Sequence, residues 1–187
     1  MRWPSVALGG IAAAVVAIAG WQIWDAHWHE DPKWIDTDRP DCQTWDANPQ
    51  RNETVTWSGD CLAGKTEGTG VLTWHYTNRQ GDAQIETFTG THAGGKGDGK
   101  AVIVFPNGDR FEGMVKDGKK NGHGVSVWSN RRYDGEWKDG KPNGFGTYTT
   151  SDGKQHAGEW AQGCLDDNGD LVWINTDAKT CKKLLAK

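Results

Sequence analysis

Basic side chains concentrate in one stretch of this chain. Between Arg110 and Lys154 there are nine Lys and Arg against six Asp and Glu, a net charge of +3, whereas the whole chain carries −4. Such a stretch can bind phosphate or carboxylate groups of a lipid headgroup or a charged polymer. It can equally be a solvated rim of turn residues. The candidate patch comprises Lys116, Lys119, Lys120, Arg131, Arg132, Lys138 and Lys141.

Residue patterns that support catalysis are lacking. The sequence contains no G-x-S-x-G, P-loop, H-E-x-x-H or dinucleotide-binding fingerprint. His27 and His29 precede two acidic residues, but no further histidine lies nearby in sequence, and a metal site needs three or four converging ligands. Many Asp residues lie beside Gly, where turn formation explains them. We therefore expect no catalytic residue, metal or cofactor, unless carboxylates cluster in a pocket.

The 12 tryptophans offer a second kind of chemistry. Exposed indole faces suit sugar rings, so a glycan or peptidoglycan binder is an alternative function. The relevant side chains are Trp74, Trp128, Trp137 and Trp160. If all four are buried between strands, this alternative loses its main support. Nucleic acid is not an expected ligand, because the chain as a whole is acidic.

Most of these residues belong to a repeat of aromatic residues and glycines. In the clearest copy, Tyr133 is followed by glycines two, seven, eleven and thirteen places later, with Trp137 four places on. The same frame begins at residues 57, 88 and 111, and a truncated copy begins at 156; the last four starting points are 22 or 23 residues apart. The repeat aromatics are Trp57, Phe88, Phe111, Tyr133, Trp137 and Trp160. This period indicates a repeat array.

Each repeat has the pattern of a β-hairpin. Residues at i, i+2 and i+4 share one face of a strand, so Tyr133 and Trp137 are expected to point the same way with Gly135 between them. The Lys-Asp-Gly triplets at 116–118 and 138–140 supply the positive φ of a tight turn. A single hairpin is barely stable in water, so neighbouring units must stack.

This pattern, Y-x-G-x-W-x-x-G-x-x-x-G-x-G, resembles the MORN (membrane occupation and recognition nexus) repeat over roughly residues 54–163. The resemblance implies an elongated, twisted, antiparallel sheet of successive hairpins that binds proteins, membranes or both, and it implies no enzymatic chemistry. Cys61, His92 and Val115 depart from the pattern by replacing the second aromatic residue. Those units are expected to twist or splay differently.

The N-terminus is apolar from Val6 to Trp24, long enough to span a bilayer as a helix. The two interpretations are a signal-anchor flanked by tryptophans and a signal peptide cleaved near Ala19. Arg2 before the segment and acidic residues after it predict that the rest of the chain faces outward. We expect a protein of the cytoplasmic membrane facing the periplasm or exterior, or a soluble periplasmic or secreted protein after cleavage.

Four cysteines flank the array. We favour pairing Cys42 with Cys61 and Cys164 with Cys181, because each pair is close in sequence and lies at one end of the array. Such disulfides would cap the terminal units and require an oxidising compartment. The predicted division is a hydrophobic helix at 1–24, a linker and cap at 25–53, the array at 54–163, and a C-terminal cap with a basic tail at 164–187. Within that cap, the apolar run Leu171–Ile174 is expected to close the sheet edge.

These features together favour an all-β, non-enzymatic scaffold in the cell envelope that binds another envelope protein. The membrane is a second expected partner, through the N-terminal helix. Binding of an anionic lipid or cell-wall polymer by residues 110–154 is the alternative from a different class, next to the glycan alternative.

Overall fold

The computed structural model describes residues 31–186. They form the strands β1 Lys33–Asp36, β2 Gln43–Asp46, β3 Arg51–Trp57, β4 Asp60–Leu62, β5 Lys65–Thr77, β6 Ala83–Ala93, β7 Lys96–Val104, β8 Arg110–Lys116, β9 Lys119–Trp128, β10 Arg131–Lys138, β11 Lys141–Thr149, β12 Gln155–Trp160, β13 Cys164–Asp167 and β14 Asp170–Trp173, and the helix α1 Ala178–Leu185. No helix in this range is long and apolar enough to cross a membrane. The predicted N-terminal helix lies outside the described residues.

Twelve strands form one long sheet, in which each strand from β5 to β12 pairs antiparallel with the next. The all-β prediction of successive hairpins is confirmed. At the N-terminal end the order is more complex, because β3 and β4 both pair with β5, and β2 meets β5 in parallel through Gln43 and Lys65. Strands β1 and β2 lie in the segment that we predicted as linker and cap.

The tight turns have the backbone that their sequence requires. Asp117 and Gly118 connect β8 to β9 with φ of 49° and 77°, and Lys116 pairs directly with Lys119 across the turn. Positive φ at both central residues is the signature of the two-residue hairpin turn that matches strand twist. The prediction from the Lys-Asp-Gly triplets is confirmed, and it fixes the register of each hairpin.

Turns of successive units are linked to one another along this edge of the sheet. The amide of Gly118 donates to the Gly97 carbonyl at 2.8 Å, and the amide of Gly140 donates to the Lys120 carbonyl at 3.0 Å. Each turn is therefore held by the unit before it. These hydrogen bonds explain how a series of marginal hairpins becomes one continuous element.

The repeat aromatics pack on one face of the sheet, which we call the aromatic face. All six predicted side chains, Trp57, Phe88, Phe111, Tyr133, Trp137 and Trp160, are at most 8% exposed. The indoles of Trp137 and Trp160 donate to backbone carbonyls of the preceding unit, Gly124 at 3.0 Å and Gly146 at 3.1 Å. The second aromatic of a unit therefore locks it to its neighbour as well as filling space.

Both predicted disulfides are present, Cys42–Cys61 near the start of the sheet and Cys164–Cys181 near its end. The second disulfide ties β13 to α1, the predicted helical tail. The apolar run Leu171–Ile174 does not close the sheet edge as predicted. Instead β14 pairs with β13 in a separate two-stranded sheet, because the short connection between them favours a local hairpin.

The disulfides also bear on the compartment in which the protein folds. Disulfides form and persist mainly outside the cytoplasm, where glutathione and thioredoxin do not keep thiols reduced. Two disulfides and no free cysteine among residues 31–186 therefore indicate an oxidising, extracytoplasmic environment.

Candidate functional site

The seven basic residues of the candidate patch do not come together. Four of them lie beside the β8–β9 and β10–β11 turns, on the side of the sheet that we call the turn edge: Lys116, Lys119, Lys138 and Lys141. Arg131 and Arg132 begin β10 on the opposite side of the sheet, about 20 Å from Lys138 at the rise of an extended strand. The seven side chains therefore form two groups rather than one surface.

Three of these cations already have partners in the fold. Lys116 forms an ion pair with Asp98 at 2.7 Å, and Arg132 forms one with Asp134 at 2.8 Å. Lys120 turns toward the aromatic face, where its ammonium lies 4.5 Å from the Trp137 ring centre. Burial lowers the pKa of Lys120 to about 8. The sequence showed its charge but not the face that it occupies.

A cleft of about 380 Å³ opens on the aromatic face over β5, β6 and β7. It lies at the unit in which His92 replaces the second aromatic residue. The cleft differs from the rest of this face, where Trp137 and Trp160 fill the space between units. Five aromatic side chains line it: Trp45, Trp74, Tyr76, Phe88 and Phe105.

One wall of the cleft comes from outside the repeat array, from β2 and the loop after it. The amide of Trp45 and the hydroxyl of Thr44 both donate to the Gly95 carbonyl, at 2.8 and 3.1 Å. The Cys42–Cys61 disulfide fixes the start of this wall to β4. The N-terminal segment is therefore held across the first repeats as a rigid side of the cleft.

Three of the carboxyl groups that line the cleft interact with one another: Asp46 from the added wall, Glu53 from β3 and Glu86 from β6. Burial, and then a hydrogen bond with Asp46, raise the pKa of Glu53 to about 8. Burial, and then the charge of Asp46, raise the pKa of Glu86 to about 7. The pKa of Tyr76 is also raised, by burial and by the charges of Glu86 and Glu53.

The sequence did not reveal these carboxyls. Glu86 stands two places before Phe88, on the same strand face, and the corresponding positions of later units are also charged: Asp109, Arg131 and Lys154. A charge in this place is therefore part of the ordinary pattern. Asp46 and Glu53 lie outside the frame altogether, and only the folding of the cap brings them to Glu86.

The tryptophans of the glycan alternative divide into two pairs. Trp137 and Trp160 are buried, whereas Trp74 and Trp128 are partly exposed. Only Trp74 lines the cleft. Among residues 31–186 no cluster of three or more His, Cys, Asp or Glu side chains is arranged to hold a metal ion.

Comparison with known proteins identifies the repeats. Residues 88–110, 111–131 and 133–155 each match the MORN repeat, in the register in which we divided the sequence. Repeats of this family are generally non-catalytic binding units. No curated protein matches the chain. Residues 88–155 of this chain are therefore three consecutive MORN repeats.

Proposed function

We propose that this protein is a non-enzymatic scaffold of the cell envelope that binds another protein through the cleft on its aromatic face. The observation that carries the proposal is the cleft itself. It is the place where a disulfide-held wall and the repeat array enclose aromatic and charged side chains that remain accessible. Concave, mainly apolar sites with a few polar groups are the usual form of a binding site.

The expected location supports this proposal. The disulfides indicate an oxidising compartment, such as a bacterial periplasm. The apolar stretch from Val6 to Trp24 would keep the repeats beside the cytoplasmic membrane, or would direct their export if it is cleaved near Ala19. Either outcome brings the cleft to partners in the envelope.

A second candidate function uses the turn edge rather than the cleft. Lys119, Lys138 and Lys141 lie along this edge beside Lys116, and such a row suits lipid headgroups or an anionic cell-wall polymer. Asp117 and Asp139 alternate with these lysines and reduce the charge of the edge. The cleft is therefore the stronger candidate.

A photo-crosslinking amino acid tests the choice between these surfaces. It would replace Phe105 in the cleft, and in separate variants Val71 on the opposite face or Asp139 in the β10–β11 turn. After irradiation of intact cells, the Phe105 variant should give a discrete protein adduct that the Val71 control lacks. N-terminal sequencing of the recovered chain establishes whether the leader is cleaved.

The same experiment can contradict the proposal. Identical adducts from positions 105 and 71 would mean that the cleft has no special role. Lipid or polymer adducts at position 139, with no protein adduct at 105, would favour the turn edge instead.

A further inference from the structure

Among residues 31–186, burial and neighbouring carboxyls outweigh the positive charges that act on Glu53 and Glu86 of the cleft. Asp46 is 4% exposed, and its Oδ1 accepts the Asn48 amide at 2.9 Å. No N–H or hydroxyl group of residues 31–186 donates to its Oδ2. The neighbouring carboxyl of Glu53 can satisfy this oxygen only when a proton lies between the two groups. The raised pKa of Glu53 favours the protonated form of this carboxyl at neutral pH.

The other charged groups around these carboxyls do not change this balance. Lys33 acts on Glu53 and lowers its pKa, but burial and Asp46 outweigh that effect. Lys96 and Lys119 also line the cleft, together with Asp117. The ammonium of Lys96 is directed to the Trp45 ring, 5.1 Å from its centre.

The side chains that line the cleft limit the chemical class of ligand that it can bind. Aromatic faces attract organic cations through their negative π-surface. A hydrated metal ion makes no use of such walls and prefers oxygen ligands alone. Neutral sugars would stack on Trp74 but would leave the carboxyl pair without compensation. Carboxyls on aromatic walls therefore match a cation with a flat, apolar surface.

Sugar hydrolysis fits less well. Glycosidases separate their two carboxyls by at least about 5 Å, so that the sugar or a water molecule fits between them. Asp46 and Glu53 are instead close enough to share a hydrogen bond. The two carboxyls are placed to share one hydrogen bond rather than to lie on either side of a glycosidic bond.

We infer that the cleft binds an arginine side chain of the partner protein, with its guanidinium at Asp46 and Glu53, beside Glu86 and between the aromatic walls. Guanidinium is planar, donates two parallel hydrogen bonds to carboxylates and stacks on aromatic rings, which distinguishes it from the ammonium of lysine. This inference rests on the proposed function, since it names the group that a protein partner would insert.

The affinity of the cleft for arginine should depend on pH. Arginine stays charged throughout the relevant range, so changes in affinity come from the protein. The ligand needs ionised carboxylates, and Glu86 and Glu53 ionise as the pH rises through about 7 and 8. Affinity should therefore increase from pH 6 to pH 9, and binding near pH 7 should release protons.

Three capped pentapeptides, Gly-Gly-Xaa-Gly-Gly with arginine, lysine or citrulline, form the test by isothermal titration calorimetry. Citrulline keeps the shape of arginine without its charge. We expect the arginine peptide to bind with a Kd of about 1 mM or tighter at pH 8, the lysine peptide several-fold more weakly, and the citrulline peptide not measurably. Titrations in two buffers of different ionisation enthalpy measure the proton release.

Two isosteric variants connect the binding to the cleft. Glu53→Gln and Glu86→Gln should each weaken arginine-peptide binding about tenfold, the effect of removing one charged hydrogen bond. Glu112→Gln, on the exposed opposite face, is the matched control and should bind as the unmodified protein does. Near-ultraviolet circular dichroism verifies that each variant keeps its aromatic packing.

Equal binding of the arginine and citrulline peptides would overturn the inference, and so would an arginine affinity that neither variant changes. Absence of arginine binding at pH 8 would also overturn it. In that case a protein adduct at position 105 would leave the proposed function intact. The converse result, peptide binding without any adduct in cells, would count against the proposed function alone.

Discussion

His92 shows how one side chain can fill an aromatic position of the repeat and still respond to pH. Its ring stacks on Trp57 at 4.7 Å, meets Phe88 edge-on at 4.8 Å, and its Nδ1 hydrogen-bonds the Thr66 hydroxyl at 2.7 Å. Burial lowers the pKa of His92 to about 4, and Glu67 offsets only part of that effect. The neutral ring is therefore the form that the fold accepts.

Substitution His92→Phe should reduce the sensitivity of the protein to acid. The folded state binds this proton less readily than the unfolded chain, so the contribution to stability is present above pH 6.5 and is lost as the pH falls toward 4. The loss would amount to up to about 3 kcal/mol. The measurement is the difference in unfolding free energy between the two proteins, by urea denaturation at several pH values.

That difference must be compared with an exposed histidine. Glu53 and Glu86 act in the opposite sense, because their raised pKa values stabilise the folded protein as the pH falls below about 8 and 7. The pH dependence of the unfolding free energy of one protein alone therefore does not isolate His92. His123→Gln removes a largely exposed histidine and is the reference for the loss of one histidine side chain. If His92→Phe and His123→Gln give the same profile, His92 is not the acid-sensitive group.

At the scale of the strand, the glycines make room for rings rather than only for turns. A Cβ on Gly146 would lie 2.2 Å from the hydroxyl oxygen of Tyr133, and a Cβ on Gly135 would lie 2.4 Å from the Cα of Gly146. Tyr133 is completely buried and cannot move aside. The repeated glycine is therefore what allows an aromatic ring to lie flat across two neighbouring strands.

Substitution Gly146→Ala should destabilise the protein by about 2–3 kcal/mol, because the methyl group has no space and overpacking displaces the ring. Gly158→Ala is the matched control, at the residue that pairs with Gly146 between β11 and β12. Its methyl group would meet only the end of the Leu165 side chain, which can rotate. Thermal denaturation of both variants measures the difference, and equal losses of stability would mean that ring clearance is not the reason for the glycine.

Sequence reasoning succeeded where the cause is local. The turns at Asp117 and Asp139 and the shared face of Tyr133 and Trp137 follow from backbone preference and strand periodicity, and all are present. It was wrong at Leu171–Ile174, where β14 pairs with β13 instead of closing the edge of the long sheet. It also could not find the cleft, since that depends on the path of the chain before β3.

At the scale of the molecule, repeat arrays differ from globular domains because each unit contacts mainly its neighbours. The two disulfides act at opposite ends, and each closes a loop of similar length, with sequence separations of 19 and 17. Each should stabilise its own end by about 3 kcal/mol on the chain-entropy estimate. Loss of either disulfide should therefore destabilise only its own end of the array, although the two disulfides contribute similar free energies of stabilisation.

The double substitution Cys42→Ser/Cys61→Ser should lower hydrogen-exchange protection in β2 to β6 and leave β9 to β11 protected. Cys164→Ser/Cys181→Ser should do the reverse, and each variant is the control for the other. Because the Cys42–Cys61 disulfide holds the added wall of the cleft, only the first variant should also lose affinity for the arginine peptide. Mass spectrometry of exchanged peptides makes the comparison. Uniform loss of protection in either variant would show that the array unfolds as one cooperative unit, and that the cleft depends on the whole sheet rather than on its clamp.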